Sequence, residues 1–272
     1  LISRAATHPG RVACTFAGDA ADDTPRITYG DLDTRARAIA AALQARGVSG
    51  EPVLVMYPSS LAYVEALLGC FYAGAIAVPA FPAGSSRTRA RLASILRDSG
   101  ARLVLGPAAP EDDALLAAAG LATCPVDSIL SELADQWRRP AFVSDTIALL
   151  QYTSGSTTDP KGVMVTHANL AHAERMIQSS FGTTAESIIV GWLPLFHDMG
   201  LIGIVLQPLF AGATSVLMRP SSFLQRPARW LETIARHSAT ISGGPNMAYD
   251  LCVQAIPEAQ REQFDLTSWE VA

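Results

Sequence analysis

Residues Tyr152 to Gly162 read Y-T-S-G-S-T-T-D-P-K-G and follow an apolar run, Ile147 to Gln151. The hydroxyls of Thr153, Ser154, Ser156, Thr157 and Thr158 offer donors, Gly155 lets backbone N–H groups approach an anion closely, and Lys161 adds a compact positive charge. Such parts suit a polyphosphate. A unit charge pair at about 4 Å is worth about 4 kcal/mol at an effective dielectric near 20, so Lys161 is the loop's candidate catalytic residue. A solvated Ser/Thr-rich turn has the same composition. The pattern of P-loop NTPases, G-x-x-x-x-G-K followed by Ser or Thr, fails here. Counted from Gly155, Pro160 occupies the second glycine's place, and Gly162 follows Lys161 where a hydroxyl should stand.

His197 and Asp198 lie between an apolar strand end and Gly200. A histidine among aromatic and aliphatic neighbours is ordinarily a core or capping residue, and Asp198 beside it can hold the ring in one tautomer. Gly243, Gly244, Pro245 and Asn246 join a strand to a helix. Paired glycines there let a ligand approach the backbone, or simply relieve crowding. Met199, Leu201, Ile202 and Met247 suit the wall of an apolar tunnel and equally suit core. His167 and Asn169 follow Thr166 at a helix start, which reads as capping. Arg219, Arg226 and Arg229 form a loose basic group read as a solvated face.

The elements that must position these residues alternate between helical and strand-like patterns, the signature of an α/β fold with layered, mostly parallel sheets flanked by helices. Helix is expected over Thr28 to Gly47, entered through a short strand, then over Ser60 to Tyr72 and Arg89 to Asp98. Strands are expected at Pro52 to Met56, Ala75 to Val78 and Arg102 to Leu105. Between Gly106 and Ser144 prolines punctuate short helical pieces such as Ser128 to Gln136, which suggests a subdomain boundary. Beyond it come strands Ile147 to Gln151, Val163 to Val165, Ile188 to Trp192, Thr214 to Leu217 and Ala239 to Ser242. Helices are expected from near Thr166, over Pro227 to His237 and over Pro245 to Cys252, with an interrupted strand at Trp269 to Ala272. The division implied is 1–140 and 141–272, the second part carrying the phosphate loop.

With 272 residues the chain can bury roughly 75% of its unfolded surface. Its hydrophobic share of 49% and charged share of 17% suit a folded globular protein. A formal charge of -5 without runs of like charge argues against a nucleic-acid partner. Cys14, Cys70, Cys124 and Cys252 lack zinc or disulfide spacing, which points to small buried hydrophobes and a cytoplasmic setting. The uncharged stretch Ala66 to Ala83 approaches the length of a membrane span. Gly69, Gly74, Pro79 and Pro82 instead suggest a buried helix turning into a core strand, so no transmembrane segment is expected.

The loop resembles the signature of adenylate-forming enzymes, the AMP-dependent synthetases and ligases, and the match extends along the chain. I-T-Y-G-D-L at Ile27 to Leu32 resembles an early family element, and F-Y-A-G-A-I-A-V-P-A-F-P at Phe71 to Pro82 resembles the next. W-L-P-L-F-H-D-M-G-L-I-G at Trp192 to Gly203 and S-G-G-P-N-M-A-Y-D-L-C at Ser242 to Cys252 are similar to fatty acyl-AMP ligases. L-Q-P-L-F-A-G at Leu206 to Gly212 and S-F-L-Q-R-P-A-R-W-L at Ser222 to Leu231 fit that branch too. Thr158 departs from the glycine usual in the wider family.

This resemblance implies ATP-dependent activation of a fatty acid to an acyl-adenylate. Transfer would follow to the phosphopantetheine thiol of an acyl carrier protein, feeding a polyketide or peptide synthase. It implies that Thr153, Ser154, Gly155, Ser156, Thr157, Thr158 and Lys161 cradle the phosphates, with Thr157 nearest a magnesium ion. It implies that His197 orients the reacting acyl group, and that Asp198, Met199, Gly200, Gly243, Gly244, Pro245 and Asn246 line the acyl and adenylate pocket. ATP with Mg2+ is the expected substrate, without a tightly bound cofactor. The family's adenine-binding segment, its magnesium-holding acidic residue and its mobile C-terminal domain have no counterpart here, so this chain alone is expected to be a poor catalyst. An acyl-CoA synthetase of the same fold is the alternative, and a nucleotide- or acyl-binding module without turnover is the alternative of another class.

Overall fold

The computed structural model describes residues 1–18, 24–81, 86–107, 110–153 and 160–272. The chain folds as two units: one comprises Leu1–Gly30, Ser59–Leu61 and Glu174–Ala272, the other Asp31–Pro58 and Ala62–Ala173. These are not the consecutive stretches 1–140 and 141–272 expected from the proline-rich region. The expected boundary fails because strand pairing ignores sequence order. Ile147–Tyr152 pairs in parallel with Ile76–Pro79, which draws the phosphate-loop segment into the sheet built by earlier residues.

In the unit containing Asp31–Pro58 and Ala62–Ala173, the strand order is Thr123–Cys124, Leu103–Leu105, Pro52–Val55, Ile76–Pro79, Ile147–Tyr152, Gly162–Thr166. All neighbours are parallel except the last pair. Leu103–Leu105 is buried throughout, as is Pro52–Val55 beyond its first residue, which is why both read as continuous apolar runs. Leu54, Met56, Val78, Val104 and Tyr152 pack against Leu92, Ile95 and Leu96 of the helix Ser86–Ser99.

The stretch weighed as a membrane span is a buried helix, Leu61–Ala73, ended by Gly74 at φ 71° and followed by the strand Ile76–Pro79. Among the described residues no helix is long and apolar enough to cross a membrane. Val126–Ser128 and Ser131–Gln136 form tight 3-10 turns rather than the single helix expected from Ser128 to Gln136. Asn169 accepts hydrogen bonds from the Thr166 amide (3.0 Å) and hydroxyl (2.9 Å), and its own amide donates back to Thr166 Oγ1 at 3.0 Å. That reciprocal cap starts the helix His167–Phe181. His167 lies against the Phe71 and Phe142 rings, with centroids at 5.5 and 4.3 Å, and burial lowers its pKa.

In the other unit the strand order is Ile241–Ser242, Ile188–Gly191, Thr214–Leu217, Val12–Phe16, Arg26–Thr28. The first four run parallel and the last antiparallel. Thr214–Leu217 matches its expected bounds, and Val271 touches the edge as one parallel bridge to Ile241. Aromatic rings pack beside this sheet: Trp192 stacks on Phe223 at 4.0 Å, and Trp230 meets Tyr249 and Trp269 at 5.4 and 5.5 Å. Trp230 Nε1 donates to Ser242 Oγ (2.8 Å), which donates to the Val190 carbonyl (2.8 Å), so the buried indole N–H has a partner. All four cysteines are free and buried, and burial pushes the Cys14 thiol up to about 12.

Gly69 allows close packing of the helices Leu61–Ala73 and Tyr29–Ala45, since a Cβ there would fall 2.3 Å from Ile39 Cγ2 and 2.7 Å from its Cβ. Ile39 is fully buried and branched at the point of contact, so it cannot swing aside. Gly69→Ala is expected to destabilise the protein by about 1–3 kcal/mol. Urea unfolding checks this, and a midpoint equal to wild type would refute the close-packing account.

Candidate active site

The phosphate-loop candidates divide at the edge of the described residues. Ser154, Gly155, Ser156, Thr157 and Thr158 lie outside them, while Thr153 and Lys161 are exposed at the two ends of the connection between Ile147–Tyr152 and Gly162–Thr166. These antiparallel strands bring Tyr152 opposite Gly162. A Cβ on Gly162 would fall 2.9 Å from Tyr152 Cζ, so the ring requires a glycine opposite it. Tyr152 Oη donates to Asp98 Oδ2 at 2.6 Å. Burial first, and this bond second, raises the phenol well above its ordinary range. The base of the connection is therefore pinned by a buried ring while its cationic end stays in solvent.

The second candidate region is a cavity of about 940 Å³ formed within the unit that holds Glu174–Ala272. His197, Asp198, Met199, Gly243, Gly244 and Asn246 line it, so the structure gathers these expected residues at one site. Gly200 and Pro245 contribute differently. A Cβ on Gly200 would fall 2.2 Å from the Pro194 carbonyl oxygen, and Pro245 is the extended residue preceding the helix Asn246–Ala255. Ile202 lines the cavity, Leu201 is buried core, and Met247 is exposed outside the lining. Gly244 also makes room for Trp192, since its Cβ would fall 3.1 Å from the indole. Gly243 is the more open of the two, with nothing nearer than 3.6 Å.

His197 is extended (φ -94°, ψ 144°) and precedes a helical run that begins at Asp198. Its Nδ1 is 2.5 Å from Asp198 Oδ1, which also accepts the Met199 amide at 2.7 Å. The carboxylate thus fixes Nδ1 as the protonated nitrogen and leaves Nε2 for a ligand. Both side chains are more than half exposed. Of the basic group, Arg226 pairs with Glu232, and Arg219 lies 5.5 Å over the Phe16 ring.

The helical form of the wall behind Met199 was not anticipated from sequence, although Met199 and Ile202 were candidates for it. Leu201–Leu206 is a π-helical stretch, followed without interruption by the helix Gln207–Ala211. Its cause is local. Pro208 has no N–H and its ring crowds the carbonyl four residues earlier, that of Ile204. Ser215 Oγ donates to that carbonyl at 2.6 Å, while the Gln207 amide reaches back five residues to Ile202. Ile204 presses on Gly191, where a Cβ would fall 2.1 Å from Ile204 Cδ1.

Two further residues matter here. Gln207, 1% exposed, lines the cavity, and Glu174, 3% exposed, lies behind it. Oriented to satisfy its neighbours, the Gln207 carboxamide donates to the Glu174 carbonyl (3.0 Å) and Oε2 (2.5 Å) and accepts the Gln178 amide (3.3 Å). Burial pushes the Glu174 carboxyl up to about 8. The available sequence signal was a glutamine inside an apolar run directly before a proline. Ile177, Phe181 and Ile189 complete this side of the cavity.

The family described as AMP-binding enzyme matches residues 1–272. The chain belongs to that family. It is 39% identical, over its whole length, to the medium-chain-fatty-acid–[acyl-carrier-protein] ligase JamA of Moorena producens, covering 48% of that protein. It is 33% identical, again over its whole length, to the ligase TtuA of the same description from Teredinibacter turnerae, covering 49%. Among solved structures it superposes on a fatty acid AMP ligase from Legionella pneumophila with a TM-score of 0.93 at 41% identity, covering 98% of this chain and 47% of that one. A fatty acyl-adenylate ligase of L. pneumophila, solved with acyl adenylate and pyrophosphate, gives 0.92 at 41% identity, with the same coverage. The chain spans about half the length of the curated relatives it matches.

The family's nucleotide chemistry invites a metal. Among the described residues no group of three or more His, Cys, Asp or Glu could hold one, and Thr157 lies outside them.

Glu174 gives a prediction with a definite sign. Its folded pKa, about 8, lies above the ordinary 4.5, so between those values the folded chain keeps a proton that the unfolded chain has released. Its contribution to stability therefore falls as pH rises through that window. Relative to Glu174→Gln, the wild type is expected to lose denaturant midpoint between about pH 5 and about pH 8. A difference independent of pH would contradict the buried neutral carboxyl.

Proposed function

We propose that this protein, acting as part of a complete ligase, activates a fatty acid with ATP and Mg2+ to an acyl-adenylate. It then passes the acyl group to the phosphopantetheine thiol of an acyl carrier protein in a cytoplasmic setting. The observation that carries this reading is the cavity of about 940 Å³, walled by Ile177, Phe181, Ile202 and Ile204, with the His197–Asp198 pair among its lining residues. An apolar cavity with a few polar groups suits an alkyl chain ending in a carboxylate. The names of the two acyl-carrier-protein ligases, and the acyl adenylate bound in the similar Legionella structure, support the same substrates.

In the first step a carboxylate oxygen attacks the α-phosphorus of ATP, the P–O bond to the β-phosphate breaks, and pyrophosphate leaves. The thiolate of the carrier arm then attacks the carbonyl carbon of the mixed anhydride, and AMP departs with the bonding electron pair. His197 is assigned to orient the acyl carboxylate through Nε2, since Asp198 occupies Nδ1. Lys161 and the hydroxyls from Thr153 to Thr158 are assigned to the polyphosphate, where a fixed cation stabilises the departing charge. Bound magnesium would neutralise phosphate charge, and the described residues supply no cluster to hold it.

Fatty-acid-dependent exchange of isotope between pyrophosphate and ATP tests the first step directly. The full-length protein is expected to show it, and its absence with every carboxylic acid would defeat the proposal. Lys161 is exposed, so Lys161→Ala is expected to leave the unfolding free energy within about 0.5 kcal/mol of wild type. The same change should lower exchange by roughly 100-fold or more. Normal exchange in that variant would remove Lys161 from the chemistry.

A further inference from the structure

The cavity's inner wall carries a polar clip in apolar surroundings. Gln207 and Glu174 are almost wholly buried, and the Gln207 carboxamide is committed on both of its ends to Glu174 and Gln178 of the helix His167–Phe181. Two walls of the cavity, the π turn and the second half of that helix, are thereby tied at hydrogen-bond distances of 2.5, 3.0 and 3.3 Å. Such separations leave no space for a methylene group between them. The wall that contains Gln207 is shut to a chain at that point.

His197, by contrast, is a solvent-exposed part of the lining. The His197 side chain is 63% exposed, and it heads the helical run that ends beyond Gln207. Gln207 follows His197 by ten residues, which places it roughly 15 Å along the run at about 1.5 Å per residue, and somewhat less across the π turn. A chain whose carboxylate sits at His197 and whose tail follows this wall meets the clip with its methyl end.

We propose that the Gln207–Glu174 clip is the stop that sets the length of acyl chain this cavity accepts. The inference rests on the acyl-adenylate reading and deepens it by assigning a specificity-determining pair. A buried carboxyl and carboxamide cost more to bury than apolar groups of the same size. What they add is direction, because hydrogen bonds fix the spacing of two walls more sharply than dispersion contacts can. An acid too long for the cavity must break those bonds and leave buried polar atoms unpaired. Gly203, on the same wall, has open space around its Cα, so the clip rather than the wall's middle limits the tail.

The test is fatty-acid-dependent ATP–pyrophosphate exchange by the full-length protein, across saturated acids from hexanoic to hexadecanoic. Gln207→Ala and Glu174→Leu are expected to move the optimum to longer acids. The ratio of kcat/KM for the longer acids over the wild-type optimum should rise about tenfold, carried mainly by KM. Glu174→Gln still accepts the Gln207 N–H, so it should keep the wild-type profile. An unmoved optimum in folded Gln207→Ala or Glu174→Leu protein overturns the proposal, and so does a shifted optimum in Glu174→Gln. If Gln207→Ala fails to fold, the two Glu174 variants decide. Absence of exchange with every acid defeats the adenylation reading and this inference together, whereas normal exchange with an unmoved profile defeats the stop alone.

Discussion

A proline has no amide hydrogen to give the helix that contains it, and here the missing donor falls at Pro208, directly after a buried glutamine. The Ile204 carbonyl, deprived of its usual partner, is taken by Ser215 from the neighbouring strand, and the preceding turn widens so that the Gln207 amide reaches Ile202. That widening turns Ile202, Gly203 and Ile204 into cavity wall. It also brings the Gln207 side chain to the backbone of His167–Phe181, where it takes part in that helix's own hydrogen-bond ladder. One absent hydrogen thus organises the wall, and Tyr29 steadies the turn's exit by donating to the Ala213 carbonyl at 2.7 Å.

Much of the architecture follows from local pattern. The helix Tyr29–Ala45 was legible from the spacing of its apolar residues, and the strands Thr214–Leu217 and Ile147–Tyr152 from short, largely apolar runs. Val12–Phe16 escaped notice although it is the strand that joins the antiparallel edge strand to the parallel part of its sheet. Its run V-A-C-T-F is short and mixes small with polar residues, so only its neighbours Thr214–Leu217 and Arg26–Thr28 declare it. The division of the chain escaped for a related reason. Prolines mark where regular structure stops, whereas units are decided by which strands pair, and Ile147–Tyr152 pairs backwards along the chain.

The site divides the same way. Hydroxyls, glycine and lysine in the Tyr152 to Gly162 loop announce themselves by type, and His197 with Asp198 does so by adjacency. Glu174 and Gln207 announce no pairing, since they lie far apart in sequence, and the glutamine before Pro208 is the one local irregularity between them. Their meaning arises only when burial strips water from both, and burial is a property of the folded chain. Gly244 shows the converse: its neighbour is the Trp192 ring, a packing requirement that a paired-glycine motif cannot distinguish from ligand clearance.

Three of the chain's four tryptophans, Trp192, Trp230 and Trp269, sit in one aromatic group, with Trp230 at 6.1 Å from Trp192 and 5.5 Å from Trp269. Trp192 bears directly on Gly244, and Tyr249, which faces Trp230, borders the same cavity. None of these indoles lines that cavity, so Gly244 and Tyr249 are the contacts through which a change in what it holds would reach their emission.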